Sequence, residues 1–357
     1  MRFAKLVPTL VLVGFVVMAC GGSGNGGTTT PKKIALLLPE SKTARYESKD
    51  RPFFTDKLKA LCSDCQLIYS NANQDAPTQQ TQAEAALTNG ANVLVLDPVD
   101  GAAAAAIVAK AKAKNVPVVS YDRLILGTAD LNYYLSFDNA AVGALQGTAL
   151  LTALNGKANA SVVMINGDPA DNNAKLFKQG AHSILDGKVQ IKKEYDTPSW
   201  SPDTAQKEMA GALVALGNKV DGVLAANDGT GGGAIAAMKA AGVKPLPPVT
   251  GQDAELAAIQ RILAGDQYMT VYKAIKAEAE AAATLAYDLA TGTAVPTSMT
   301  NGKTVNNGAK DIPSVLLTPV AVTKANIKDT VVADGFWTKA DICTADYATA
   351  CTAAGIS

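Results

Sequence analysis

"VVSYDRLILGTADLNYYLSFDN", residues 118–139, holds the pattern that decides the fold. Two apolar runs, "VVSY" and "YYLSF", each end abruptly in polar residues, "DR" and "DN". Runs that are apolar at nearly every position belong to strands buried on both faces, as in parallel sheets sandwiched between helices. From Ile34 onward the unit recurs: "KIALLL", "QLIY", "NVLVL", "VPVVSY", "YYLSF", "SVVMIN", "VQIKKEY", "DGVLAA", "PPVTG", "YMTVY" and "SVLLTP" alternate with Ala-rich segments at helical spacing. So many strands would make a very wide single sheet, and the polar stretch "SFDNAAVG" (136–143) lies near the middle of the series. The fold class expected is therefore α/β, with two doubly wound parallel-sheet lobes.

The chain has 357 residues, 48% hydrophobic and 18% charged, enough apolar material for two substantial cores. Lys plus Arg and Asp plus Glu are both 32, and neither sign is gathered into blocks. That balance argues against nucleic acid as a partner.

Residues 1–19, "MRFAKLVPTLVLVGFVVMA", place Arg2 and Lys5 before an apolar run too short for a stable membrane span. This is the pattern of an export signal peptide, and its end, "VVMAC", resembles a bacterial lipobox with Cys20 as the lipid-attachment residue. Removing the signal deletes two cations and no acid, leaving 30 cations against 32 acids, a net charge of −2. Residues 20–32, "CGGSGNGGTTTPK", offer almost nothing to bury and are expected to form a flexible linker from the lipid to the folded part.

Apart from Cys20 the cysteines form two close pairs, Cys62 with Cys65 and Cys343 with Cys351. In an exported chain such pairs are expected to be disulfides. A four-thiolate zinc site is disfavoured because only one C-x-x-C is present, so no metal is expected.

Ligands of open parallel sheets bind at the carboxyl ends of the strands. Those exits are polar in five places: "YDR" (121–123), "GDPADNN" (167–173), "ANDGTGGG" (226–233), "GQDAEL" (251–256) and "VYK" (271–273). Any one of them reads equally as a helix cap or turn. Five on one rim point to a polar ligand, since desolvated charges persist only when paired or hydrogen-bonded.

The residue types suit a ligand rich in hydroxyls, which both donate and accept and are well met by a carboxylate beside a guanidinium, as at Asp122 and Arg123. "NDGTGGGA" lacks both the Walker pattern and dinucleotide spacing, and Gly229 to Gly233 read as a flexible helix entry. Trp200 in "TPSWSPD" and Tyr46 in "KTARYESKD" sit in polar segments with no evident core, where a flat face could pack on a sugar ring. Trp337 is expected to pack as core or to cover a domain surface. In "ADNNAK", Asn172 is expected to cap the helix or orient its neighbours, leaving Asp171 and Asn173 for a ligand.

The stretches "VVSYDRLILGTADLNYYLSFDN", "GDPADNNAKLFKQG", "AANDGTGGGAI", "TGQDAELAAIQRILAG", "MTVYK" and "NNGAKDIPSVLLTP" together resemble the D-xylose-binding branch of the type I periplasmic-binding-protein family, from about Lys33 to Trp337. The resemblance implies two α/β lobes joined by a three-stranded hinge, with the sugar enclosed between them. It divides the chain into a first lobe, 33–137 plus 272–300, a second lobe, 138–271 plus 301–341, and a C-terminal extension, 342–357.

Carried over residue by residue, the resemblance implies sugar contacts at Arg45, Asp122, Arg123, Asp171, Asn173, Asn227, Asp253 and Lys273, with Asn172 beside them and aromatic faces at Tyr46 and Trp200. Tyr46 stands where the proteobacterial members carry tryptophan, and the two cysteine pairs are additions to their pattern. The function implied is capture of a monosaccharide, D-xylose, by hinge closure. Its partners would be a membrane permease with an ATPase subunit, and the membrane itself through the lipid. The chain is expected to act as a monomer without cofactors; another aldose with a chemosensory role is the alternative.

A glycoside hydrolase would need two carboxylates flanking a scissile bond, one kept protonated by an apolar setting. Here the acids have cationic or amide neighbours in sequence, which favours ionised acceptors. The only histidine, His182, falls inside a helical stretch, away from any Ser-His-Asp pattern. A sugar-responsive repressor is disfavoured by the export signal and by the lack of a helix-turn-helix before Ile34. The expectation is a binding protein and not an enzyme.

Overall fold

The computed structural model describes Met1 and residues 31–356. The export signal, Cys20 and nearly all of the 20–32 linker lie outside the described residues. Among the described residues no helix is long and apolar enough to cross a membrane.

The described residues form twelve strands in chain order: β1 Lys33–Leu38, β2 Gln66–Asn71, β3 Val93–Leu96, β4 Val118–Tyr121, β5 Tyr133–Phe137, β6 Ser161–Asn166, β7 Gln190–Asp196, β8 Gly222–Ala225, β9 Met269–Tyr272, β10 Thr304–Asn306, β11 Asp311–Leu317 and β12 Val320–Thr323. The first sheet has the order β10-β11-β5-β4-β3-β1-β2 and is parallel except for β10. In the second, β7, β6 and β8 are parallel neighbours, and single bridges at Val223–Val249 and Gln252–Val271 carry the sheet on to β9, which pairs antiparallel with β12. The expected strand "PPVTG" is thus present only as bridging residues.

Burial explains which runs became central. β3, β4 and β8 are buried along their whole length, and each fully buried Leu, Ile or Val contributes about 1.5–3 kcal/mol. β7 instead alternates exposed and half-buried residues with Lys192, Lys193 and Glu194, the charged habit of a sheet edge. Small side chains bring helices close: Ala279, Ala282, Ala283 and Ala286 of the helix Ile275–Thr291 are fully buried against the first sheet.

The chain crosses between sheets three times, at 137–139, 272–275 and 317–320. The first crossing is the "DN" of the opening stretch, where Asp138 caps the helix Asn139–Leu154 by accepting from the Ala141 N–H at 3.0 Å.

The structure corrects several expectations. β10 and β11 pair into the first sheet, so 301–317 belong with the first lobe and the last crossing falls after Leu317, because the apolar run "SVLL" continues the ladder beyond β5. The glycines of 229–233 lie inside the helix Asp228–Ala240, where they serve close packing; a Cβ on Gly233 would stand 2.3 Å from the Pro202 carbonyl oxygen. Residues beyond 341 fold onto the second lobe, with Ile342, Cys351 and Ile356 in one apolar cluster with Phe336 and Ile259.

Both cysteine pairs are disulfide-bonded. Trp337 covers a domain surface as expected: its indole N–H donates to the Ala254 carbonyl at 2.8 Å, and the Lys49 ammonium lies 3.6 Å from its ring centroid.

Candidate functional site

A polar cavity opens where the carboxyl ends of both sheets meet. Of the eleven expected site residues, ten line it: Arg45, Tyr46, Asp122, Arg123, Asp171, Asn173, Trp200, Asn227, Asp253 and Lys273. Asn172 does not. It is the first residue of the helix Asn172–Leu185, half-buried, and the cap is Asp171, whose Oδ1 accepts from the Asn173 N–H at 2.8 Å. The correction is geometric: only the residue before the first helical turn can turn its side chain back onto the free N–H groups.

At the end of β4 the backbone makes a three-residue turn about Asp122, with φ +54 and the Arg123 N–H donating to the Tyr121 carbonyl at 2.6 Å. Such a turn is strained for a non-glycine residue, and it is held here by the Tyr134 and Ser136 hydroxyls, which donate to the Asp122 carbonyl at 3.2 and 2.7 Å. Asp253, with φ +87, and Trp200, with φ +51, are held in the same backbone region.

Arg45 is fixed by a fork of acids. Its Nε and Nη2 donate to the two Asp50 oxygens at 3.0 and 2.6 Å, Nη2 also to Glu278 at 2.8 Å, and Nη1 to Asp122 Oδ1 at 3.2 Å. The Tyr46 hydroxyl donates to the other Asp122 oxygen at 2.9 Å. Burial pushes the Asp122 carboxyl up, but Arg45, Lys273 and Arg123 outweigh it and hold it at about 2. Asp122 is therefore an ionised acceptor at neutral pH.

Asp171 comes from the opposite sheet. Its Oδ2 accepts from the Trp200 indole N–H at 3.2 Å and lies 3.2 Å from Arg123 Nε. Burial pushes its carboxyl up, against the pull of Arg123. Asn173 Nδ2 donates to the Asp122 carbonyl at 2.9 Å, and Lys273 Nζ, at the second crossing, pairs with Asp253 Oδ1 at 2.8 Å. Asn227 caps the helix Asp228–Ala240 through its Oδ1, which leaves its Nδ2 for a ligand.

Trp200 does have a core: it is 4% exposed and packs with Phe177, Val142 and Met269, correcting the expectation of a lone aromatic in a polar loop. Gly167 makes this possible, since a Cβ there would stand 2.0 Å from the indole Cη2. His182 sits on the surface between Asp186 and Glu194, far from any catalytic arrangement.

Thr43, Phe177 and Gln252 also line the cavity. Gln252 stands in a strand exit already marked as polar; Thr43 and Phe177 carry no sequence signal of their own. Glu278, behind Arg45, belongs to a helix far along the chain and could not have been read from spacing.

Two parallel-sheet lobes with a polar cavity between their strand ends define a solute-binding protein. The chain belongs to the periplasmic binding protein family: the model of the periplasmic binding protein domain matches residues 34–294. It is a receptor fold and not an enzyme.

The D-xylose-binding periplasmic protein of Escherichia coli is 40% identical over 315 residues, covering 87% of this chain and 92% of the relative. The multiple sugar-binding periplasmic receptor ChvE of Rhizobium radiobacter is 34% identical over 328 residues, covering 86% and 91%. An ABC transporter solute binding protein from Clostridium phytofermentans, solved with β-D-glucose bound, superposes with a TM-score of 0.81 at 30% identity, covering 87% of this chain and all of that one.

Proposed function

We propose that this protein is the extracytoplasmic receptor of an ABC importer for a monosaccharide, and that the sugar is D-xylose. The observation that carries the reading is the composition of the inter-lobe cavity. Asp122, Arg123 and Arg45 from one sheet face Asp171, Asn173, Asn227 and Asp253 from the other, with Trp200 supplying an apolar ring face. A pyranose presents the complement of that set, with hydroxyls around its edge and C–H groups on its faces. Because the polar groups come from both lobes, a bound sugar stabilises the lobes in their closed arrangement, which is how a ligand drives hinge closure. The closed form would then dock on a membrane permease whose ATPase partner drives import.

The likeness to a D-xylose-binding protein over most of both chains supports the choice of sugar. D-Glucose is the competitor to exclude, given the Clostridium structure. The signal pattern and "VVMAC" support export and anchoring through a lipid on Cys20. Calorimetric titration against D-xylose, D-glucose, L-arabinose, D-ribose and D-galactose tests the reading. Tightest binding of D-xylose is expected; a null titration with D-xylose beside clear heat from another sugar would overturn the specificity.

A further inference from the structure

Asp97 follows β3 on the same rim as the site and is fully buried, yet the reading above gives it no work. Its backbone is clamped: the N–H donates to Leu37 at 3.0 Å, and Gln79 Nε2 donates to its carbonyl at 2.7 Å. Its carboxylate is not. Among the described residues neither oxygen accepts a hydrogen bond, and its ion-pair partner is Arg123, with Nε 3.7 Å from Oδ1. Glu40, 3.6 Å from Arg123 Nη2, differs in having a local duty, since its Oε2 accepts from the Lys42 and Thr43 N–H groups.

The Arg123 Nε that faces Asp97 is the same atom that faces Asp171, at 3.2 Å. Asp97 belongs to the first lobe with Arg123, whereas Asp171 arrives from the second. Unlike Arg45, whose guanidinium is hydrogen-bonded to Asp50, Glu278 and Asp122, Arg123 makes no hydrogen bond through Nε or Nη1 among the described residues. A buried carboxylate needs a cation or hydrogen bonds to stay charged, so Asp97 gains most from Arg123 when Asp171 is absent.

We propose that Asp97 is a positioning residue for closure: it competes with Asp171 for Arg123, holding the guanidinium to the first lobe in the open form and yielding it as the lobes close. The proposal rests on the receptor reading above. Asp97 thereby lowers sugar affinity, a counterweight that favours release. Neutralising it should tighten binding. In this structure, where Asp171 faces Arg123, burial pushes the Asp97 carboxyl up, and Asp122 and Asp171 add to this against Arg123 and Arg45. Acidification should therefore mimic the neutral variant.

The test compares wild type, Asp97→Asn and Asp97→Glu, all full-chain, by calorimetry and stopped-flow fluorescence with D-xylose. Asp97→Asn should bind at least threefold more tightly, mainly through slower dissociation, and Asp97→Glu should bind more weakly and release faster. The affinity ratio of Asp97→Asn to wild type should shrink as pH falls; taking the ratio removes what the facing groups Glu40, Tyr46, Asp122, Asp171, Arg45 and Arg123 contribute to both proteins alike. Asp97→Asn that melts like wild type but binds equally or less well overturns the proposal. Should that variant not fold, unchanged or tighter binding by Asp97→Glu overturns it. A wild type that binds no monosaccharide overturns the receptor reading and this inference together; a wild type that binds without the expected variant effects overturns this inference alone.

Discussion

Asn173 Nδ2 reaches across from the second lobe and donates to the backbone carbonyl of Asp122 in the first, at 2.9 Å. That carbonyl belongs to the strained turn that aims Asp122 and Arg123 into the cavity. Contact between the lobes and the site geometry thus share the same atoms. A sugar that occupies the cavity inherits groups already oriented, and little ordering is left for binding to supply.

Asp171 joins three such groups: the Asn173 N–H, the Trp200 indole N–H and the Arg123 guanidinium. Asp171→Ala leaves the two N–H groups without their acceptor and Arg123 without its partner from the second lobe. Sugar binding should weaken by roughly 1–3 kcal/mol, read by calorimetry. Wild-type affinity in this variant would remove Asp171 from the site.

Gly167 is the place where absence of a side chain makes the aromatic face available. A Cβ there would lie 2.0, 2.2 and 2.5 Å from three atoms of the Trp200 six-membered ring. Gly167→Ala should force the indole out of its pocket against Phe177, shift Trp200 fluorescence, and weaken sugar binding roughly tenfold, about 1.4 kcal/mol. Unchanged fluorescence and affinity would show that the indole is not held as described.

Arg45 is the counter-ion for Asp50, Glu278 and Asp122, all buried. Arg45→Met removes the cation and leaves the acids facing one another. The ligand-free protein should lose about 3–5 kcal/mol in urea unfolding, the usual cost of stranding buried charge. A loss under about 1 kcal/mol would mean that the acids carry no net charge together, contrary to the pairing seen.

Glu255 supplies a pH dependence whose sign follows from its surroundings. Burial, then Asp228 and Asp253, push its carboxyl up to about 8, while the unfolded chain ionises it in the ordinary glutamate range. Between those limits the folded form binds the extra proton, so stability falls as pH rises through the window. The melting temperature of Glu255→Gln should therefore gain on wild type from about pH 4.5 to 8 and match it at lower pH. Glu255 is only half-buried, and solvent screening keeps the effect small. Parallel melting curves across that range would contradict the sign.

The fold was legible where burial is two-sided. "VLVL" and "VVSY" read as parallel strands because nothing polar interrupts them, and they are β3 and β4. β10 was missed: "TVN" is a three-residue, half-exposed edge whose pairing depends on β11, a partner no local pattern reveals. The site was legible through strand exits and family likeness, because position after a strand fixes the rim. Roles within it were less so. In "DNN" three residues can all cap, and only the helix register, which begins at Asn172, selects Asp171. Asp97, in "VLVLDP", obeys the same strand-exit rule, but a single acid before proline reads equally as a turn.

The most direct measurement of the central claim is a crystal structure of the protein grown with D-xylose. The account predicts one sugar between the lobes, its ring face on Trp200 and its hydroxyls bonded to Asp122, Asp171, Asn173 and Asp253, with Arg45 and Arg123 at the rim. A sugar bound elsewhere, or a cavity that admits none while D-xylose is bound in solution, would contradict it.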